Sequence, residues 1–269
     1  MTTPDRLPVL FVGHGSPLNA IGDNRWRRQW QALGPELRAR GLPIRLILCV
    51  SAHWLTEGWW LTAMAQPRTI HDFGGFPQAL FDQQYPAPGA PERAREIAAA
   101  VRQPDGAPLG LDMGEWGLDH GAWSVLKPMF PEADIPVVQL SMDYGRPPAE
   151  HLALGRGLRA LRTQGVLIVA SGNTVHNLRA LQRQAPDDQA YDWAIDFDQR
   201  VAEAVAAGDP ERLAGFQQWG DSARLSHPSH DHYLPLLYAA GAAEPGEAVR
   251  FFNEGFQAAS ISMRSMVWG

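Results

Sequence analysis

The chain of 269 residues is poor in several features, and each scarcity removes a class of protein. It has one cysteine, Cys49, set inside the apolar run Leu46-Ile47-Leu48-Cys49-Val50, so neither a disulfide framework nor a thiolate metal cluster can form within one chain. Such a chain suits a reducing compartment and reads as cytoplasmic. No run of eighteen apolar residues occurs, so no membrane-spanning helix is expected. The amino-terminal segment carries an early acid, Asp5, and only the short apolar stretch Val9 to Val12, too brief for the core of an export signal. Basic residues are few and scattered, 23 Lys+Arg against 29 Asp+Glu for a net charge of -6, so no nucleic-acid partner is expected. Repeats, low-complexity tracts and linkers are also missing, which favours one domain over residues 1–269.

What is present is core-forming material. Hydrophobic residues make up 45% of the chain, with 10 Trp and 10 Phe, enough apolar surface to offset the entropy lost on ordering. Pro8 to Val12, Arg45 to Val50, Ile135 to Ser141 and Val166 to Ala170 are short, apolar and Leu-rich or β-branched, the signature of strands buried on both faces. Helical spacing appears between them, over Trp26 to Leu33, Ala90 to Arg102 and Ala149 to Arg162, and again from about Ala190 to Ala207. Alternation of strand and helix predicts an α/β fold with helices on both faces of one sheet. Gln66 to Pro91 breaks the pattern with Gly74, Gly75, Gly89 and five prolines among Phe73, Phe76, Phe81 and Tyr85. It reads as a long, packed loop, with Ile70 to Pro77 as a lid or pocket rim hinged at its glycine pair.

Nine histidines carry the chemical information. His14, His53 and His176 each follow an expected strand, and ligand sites in open α/β sheets form beyond the carboxyl ends of the strands. Each alone reads as an ordinary hydrogen-bonding residue; three together point to one crevice and to one metal, since imidazole is a common metal ligand and no cysteine competes. Gly13, Gly15 and Gly172 would let the backbone turn sharply there. Ser226-His227-Pro228-Ser229-His230-Asp231-His232 precedes a helix expected from Pro235 to Ala240 and stopped at Gly241. His232, nearest that helix, is the choice as a further ligand, whereas His230 reads as a loop residue, with Asp231 or Ser229 capping the helix and His227 left open. Glu115 to Trp123 sets His120 and an acid among glycines and tryptophans. This segment reads either as a pocket wall with a proton donor or as a turn in which Asp119 caps a helix from Gly121 to Met129.

Together and in order, Gly13-His14-Gly15-Ser16-Pro17, Ser51-Ala52-His53-Trp54, Thr69 to Pro77, Trp116-Gly117-Leu118-Asp119-His120-Gly121, Ala170 to Asn177 and Asp231-His232-Tyr233-Leu234-Pro235-Leu236 resemble the 4,5-DOPA extradiol dioxygenase branch of the class III extradiol dioxygenases. The protocatechuate 4,5-dioxygenase catalytic subunit belongs to the same superfamily. The resemblance runs from residue 8 to about residue 241. It implies a three-layer α/β/α fold with a central, largely parallel or mixed sheet, a mononuclear non-haem metal, and opening of a catechol ring by O2 beside the two hydroxyls. By motif, His14, His53 and His232 are the metal ligands, and His176 and His120 the acid/base and oxygen-stabilising residues.

Many extradiol enzymes use two histidines and a carboxylate, whereas here a third histidine stands in the carboxylate's place. A neutral three-histidine site suits Fe(II) or Zn(II). Fe(II) is favoured for activity because three protein ligands leave room for catechol and O2. In that scheme His176 is the general base for the catechol, and His120 hydrogen-bonds the attacking oxygen and later donates a proton. Trp54, Phe73, Phe76 and Trp123 are expected in the pocket wall. Two other readings remain open: a zinc hydrolase with Glu115 as base, and a metal- or ligand-binding module without turnover.

Overall fold

The computed structural model describes residues 6–269; Met1 to Asp5, part of the amino-terminal reading, lie outside them. Among the described residues, ten strands follow one another as β1 (Val9–Gly13), β2 (Leu46–Thr56), β3 (Trp60–Thr62), β4 (Gly110–Asp112), β5 (Val137–Asp143), β6 (Val166–Gly172), β7 (Val249–Phe252), β8 (Phe256–Gln257), β9 (Ile261–Ser262) and β10 (Ser265–Trp268). Eight of them form one mixed sheet in the order β4-β3-β5-β2-β6-β1-β10-β7, and β8 and β9 pair apart from it. The four expected strands are its centre: β5, β2, β6 and β1 run parallel. β10 and β7 extend the sheet antiparallel beyond β1.

Side chains of the central strands alternate between two cores. Val9, Phe11, Leu46, Leu48, Val50, Val166, Ile168 and Ala170 enter one, and Leu10, Val12, Ile47, Cys49, Leu167 and Val169 enter the other. Burial on both faces explains why these strands read as unbroken apolar runs instead of alternating ones.

Among the described residues, nine α-helices accompany the sheet: α1 (Arg25–Arg38), α2 (Gln78–Phe81), α3 (Pro91–Ala100), α4 (His120–Met129), α5 (Pro148–Leu158), α6 (Asp192–Ala206), α7 (Pro210–Ala214), α8 (Asp221–Ser226) and α9 (Leu234–Ala242). Helices α1 and α4 supply Trp26, Trp30, Leu33, Trp123 and Leu126 to one core, while α5, α6 and α9 supply Leu152, Phe197 and Leu236 to the other. The result is helices on both faces of a mixed sheet.

Several local expectations are corrected. Helix α9 does not stop at Gly241 but runs on to Ala242. Gly241 is instead a point of close approach, where a Cβ would stand 2.5 Å from the Leu152 carbonyl oxygen of α5. Neither Asp231 nor Ser229 caps that helix; the His230 carbonyl accepts from the N–H groups of Tyr233 and Leu234. The helix expected to run to Arg162 ends at Leu158 and tightens into a 3-10 turn, Arg159–Gln164. Strand β2 runs past Val50 to Thr56, so His53 lies within it, not beyond it.

Candidate active site

The central strands place their carboxyl ends side by side, and five imidazoles meet there. His14 follows β1 directly, and its backbone N–H donates to the Gly172 carbonyl at the end of β6. His53 sits in the last part of β2, where the register against β5 shifts between Val50 and Leu55. His120 is the first residue of α4, after Asp119, whose side chain caps the helix by accepting from Ala122 N–H. His232 is bolted to the end of β6: Asn173 N–H donates to its carbonyl at 2.8 Å, and any Cβ on Gly172 would collide with that same oxygen. His176 is held by its N–H donating to the Ser226 carbonyl.

Ring centroids record the convergence. His14 lies 5.1 Å from His53, 5.2 Å from His232 and 5.7 Å from His120. His53 lies 3.9 Å from His120 and 4.9 Å from His232. His176 stacks on His232 at 3.5 Å with the planes 5° apart. One nitrogen from each of His14, His53 and His120 falls within 4.8 Å of the others. Four strand ends or loops and one helix start thus bring together all five histidines named from the sequence.

The outer nitrogens of His14 and His232 hydrogen-bond to oxygen atoms, and those of His53 and His120 lie at ion-pair distance from one carboxylate. Ser171 Oγ donates to the Gly121 carbonyl, so at 3.0 Å from His14 Nδ1 it accepts the proton there and leaves His14 Nε2 as a bare lone pair. Asp231 Oδ2 lies 2.6 Å from His232 Nδ1. Asp72 lies 3.4 Å from His53 Nδ1 with one oxygen and 3.0 Å from His120 Nδ1 with the other. His53 Nε2 and His14 Nε2 then face each other at 3.2 Å. With a proton on each Nδ1, two lone pairs oppose one another, an arrangement that a bound cation relieves. Inward imidazole nitrogens backed by carboxylate or hydroxyl partners are the donor set of a divalent metal, so these residues fit one.

Electrostatics agree with that fit. Burial, reinforced by the neighbouring imidazoles, pushes His14 and His53 well below the usual histidine range and keeps them neutral, the form that ligates. His176 is lowered the same way, by burial first and His232 next. Burial raises the Asp72 carboxyl, but its hydrogen bonds and charge contact with His120 outweigh this and hold it low. Asp231 is likewise raised by burial and brought down overall by His232. Two ionised carboxylates therefore stand one ring behind the cleft, so a dication there is not left without negative charge. Asp119 behaves differently: burial raises it among Ser51, Gln139 and Trp116, which all donate to it.

Other sequence expectations divide. Within Glu115 to Trp123, Asp119 caps α4 and His120 joins the cleft. Glu115 is exposed in the turn after β4, its backbone accepting from Arg68 and donating to Asp112, and is not among the histidines. His227 sits behind the cleft, donating through Nε2 to the Thr174 carbonyl at 2.8 Å. His230 stacks on Tyr144. Of the expected wall, Phe73 meets the His120 ring edge-on at 5.5 Å and Phe76 packs on Phe73. Trp123 is core, fully buried, with Nε1 donating to the Ile70 carbonyl. Only Gly15 of the three site glycines has a positive φ, +57°; Gly13 and Gly172 are sites of close backbone approach.

Sequence reasoning missed Asp72 and Ser171 and gave Asp231 the wrong task. The available signal was an acid immediately before a histidine, Asp231-His232, and a lone acid in an otherwise aromatic and glycine-rich stretch, Asp72-Phe73-Gly74-Gly75-Phe76.

Among the described residues, no helix is long and apolar enough to cross a membrane. The chain is 45% identical over 266 residues to a 4,5-DOPA dioxygenase extradiol of Escherichia coli (strain K12), covering 98% of this chain and 95% of the relative. It is 33% identical over 257 residues to a 4,5-DOPA dioxygenase extradiol of Beta vulgaris, covering 96% and 94%. A crystal structure of an uncharacterized protein from Escherichia coli K12 superposes with a TM-score of 0.81 at 39% identity, covering 98% of this chain and all of that one. The family model for the catalytic LigB subunit of aromatic ring-opening dioxygenase matches residues 9–267. With that match across nearly every described residue, this chain belongs to the LigB family of aromatic ring-opening dioxygenases.

Proposed function

We propose that this chain opens the ring of a DOPA-like or related catechol next to its hydroxyl-bearing carbons, adding both atoms of O2 to give an open-chain semialdehyde acid. The supporting observation is the meeting of five imidazoles, His14, His53, His120, His176 and His232, at the strand ends of a ring-opening dioxygenase fold. His14, His53 and His232 would hold one divalent ion, Fe(II) in the active enzyme, with Zn(II) as an inactive occupant. When bound, that ion supplies Lewis acidity to both catechol oxygens and a path for electrons from ring to O2. His14, His53 and His232 approach from β1, β2 and the loop locked to β6, so the ion's protein ligands come from separate, rigid parts of the chain.

The remaining two imidazoles are assigned the protons. His176 is neutral through burial and lies flat against His232, a position from which it takes a proton from the catechol hydroxyl. His120 stands at the amino end of α4, where the helix dipole favours negative charge, and it stabilises the oxygen that becomes anionic and returns a proton to it. Phe73, edge-on to His120, offers an apolar wall to a flat ring. A cytoplasmic setting rests on Cys49, whose buried thiol sits in β2.

The test is anaerobic loading with Fe(II), addition of L-DOPA and a panel of simpler catechols, and measurement of O2 uptake with the yellow ring-opened product. Equal consumption of O2 and catechol by the Fe(II) form, with none by the Zn(II) form, is the expected result. Silence with every catechol, together with ester or amide hydrolysis by the Zn(II) form, would overturn the reading.

A further inference from the structure

One carboxylate serves two imidazoles with different tasks. Asp72 Oδ2 lies 3.4 Å from His53 Nδ1, and Asp72 Oδ1 lies 3.0 Å from His120 Nδ1 while accepting the His120 backbone N–H at 2.9 Å. Asp72 belongs to neither the sheet nor α4. It is carried by the loop that leaves β3 and returns at α3, and its neighbour Phe73 leans on His120. The same loop is tied down nearby: Ile70 N–H donates to the Leu118 carbonyl, Trp123 Nε1 donates to the Ile70 carbonyl, and His71 Nε2 lies 2.9 Å from the Gln83 carbonyl. Beyond Asp72 the packing continues through Phe73 and Phe76, while the glycines between them stay open: Gly74 and Gly75 have space where a Cβ would be and Gly75 has φ +75°.

We infer that Asp72 is a positioning residue that fixes the His53 and His120 rings in one register through its two oxygens, so that its carboxylate, more than the packing of the loop around it, sets both metal affinity and proton delivery. The inference rests on the roles given above to His53 and His120. A carboxylate accepting from Nδ1 fixes the tautomer, raises the basicity of the inward nitrogen and holds the ring plane. Shared between two rings, it also fixes the distance between them, which neither β2 nor α4 does alone.

The test uses the full chain freed of metal and titrated with Zn(II) and with Co(II) against a competing chelator, without substrate. Asp72→Asn should bind both ions about 10- to 100-fold more weakly. Phe73→Ala, which removes packing from the same loop but leaves the carboxylate, should lose much less affinity than Asp72→Asn. In the Zn(II)-loaded protein the Nδ1–H resonances of His53 and His120 should move in Asp72→Asn while those of His14 and His232 stay. Asp72→Glu, which keeps the charge one methylene further out, should recover part of the affinity and serves if Asp72→Asn folds poorly. Unchanged affinity and unmoved resonances in Asp72→Asn, or equal losses in Phe73→Ala, would overturn the inference. His14→Ala and His53→Ala run alongside separate the two levels. If they too keep the metal, the reading of the site fails; if they lose it and Asp72→Asn does not, only the role of Asp72 falls.

Discussion

Two sets of histidines lie inside this molecule, and they differ in a way that burial does not reveal. His151 and His227 are as deeply enclosed as His14 or His232, and burial lowers both of them to about 4. His227 donates to a main-chain carbonyl and packs against Phe197 and Tyr233. His151 lies 2.7 Å from the Tyr238 hydroxyl with its other nitrogen toward the Arg146 carbonyl. In the cleft, by contrast, outer nitrogens meet Ser171, Asp72 or Asp231, and inner ones meet other imidazoles. A low histidine pKa therefore marks enclosure; the partners on its two nitrogens mark the chemistry.

The widest expected separation between the sets comes from removing rings. His14→Ala and His53→Ala should abolish metal retention and detectable turnover while the far-ultraviolet circular dichroism stays that of the folded chain; metal content per chain checks this, and full occupancy would erase the distinction. Next, His176→Ala should keep its metal and lose about 10²- to 10⁴-fold in kcat, the range for a lost general base. Metal loss in that variant would move His176 among the ligands.

His151 supplies the counterpart outside the cleft. Its folded pKa lies below the unfolded value, so the unfolded chain takes up the proton first and stability falls as pH drops from about 6.5 toward 4, by roughly 3 kcal/mol for this group. Urea unfolding at stepped pH should show His151→Phe with a flatter acid limb than the unaltered chain; identical limbs would remove His151 from the account. The smallest effect is expected at Glu115→Gln, exposed and away from the histidines, where turnover should not change. A large loss there would revive the hydrolase reading.

Legibility followed burial and length. β1, β2, β5 and β6 were readable because both their faces are apolar, and the histidines at their ends inherited that clarity. β3 and β4 are three residues each and β7 and β10 four, too short for any periodicity to show. Gly241 looked like a stop signal because its task, letting α9 touch α5, is set by a neighbour distant in sequence. Asp72 and Asp231 were visible as acids, yet nothing local says which ring an acid will face. His232 could be selected next to a helix start, but its stacking against His176 depends on two loops meeting.

The slack in β2 has a geometric consequence. Between the positions where Val50 faces Leu140 and Leu55 faces Met142, the residues Ser51, Ala52, His53 and Trp54 stand opposite Ser141 alone, while on the other side Ser51 still matches Ser171. Pairing with β6 anchors the strand up to that point, so residues could be gained or lost just after it without shifting either hydrophobic layer. The unmatched residues let His53 turn into the cleft while the paired residues before them keep their place in both layers.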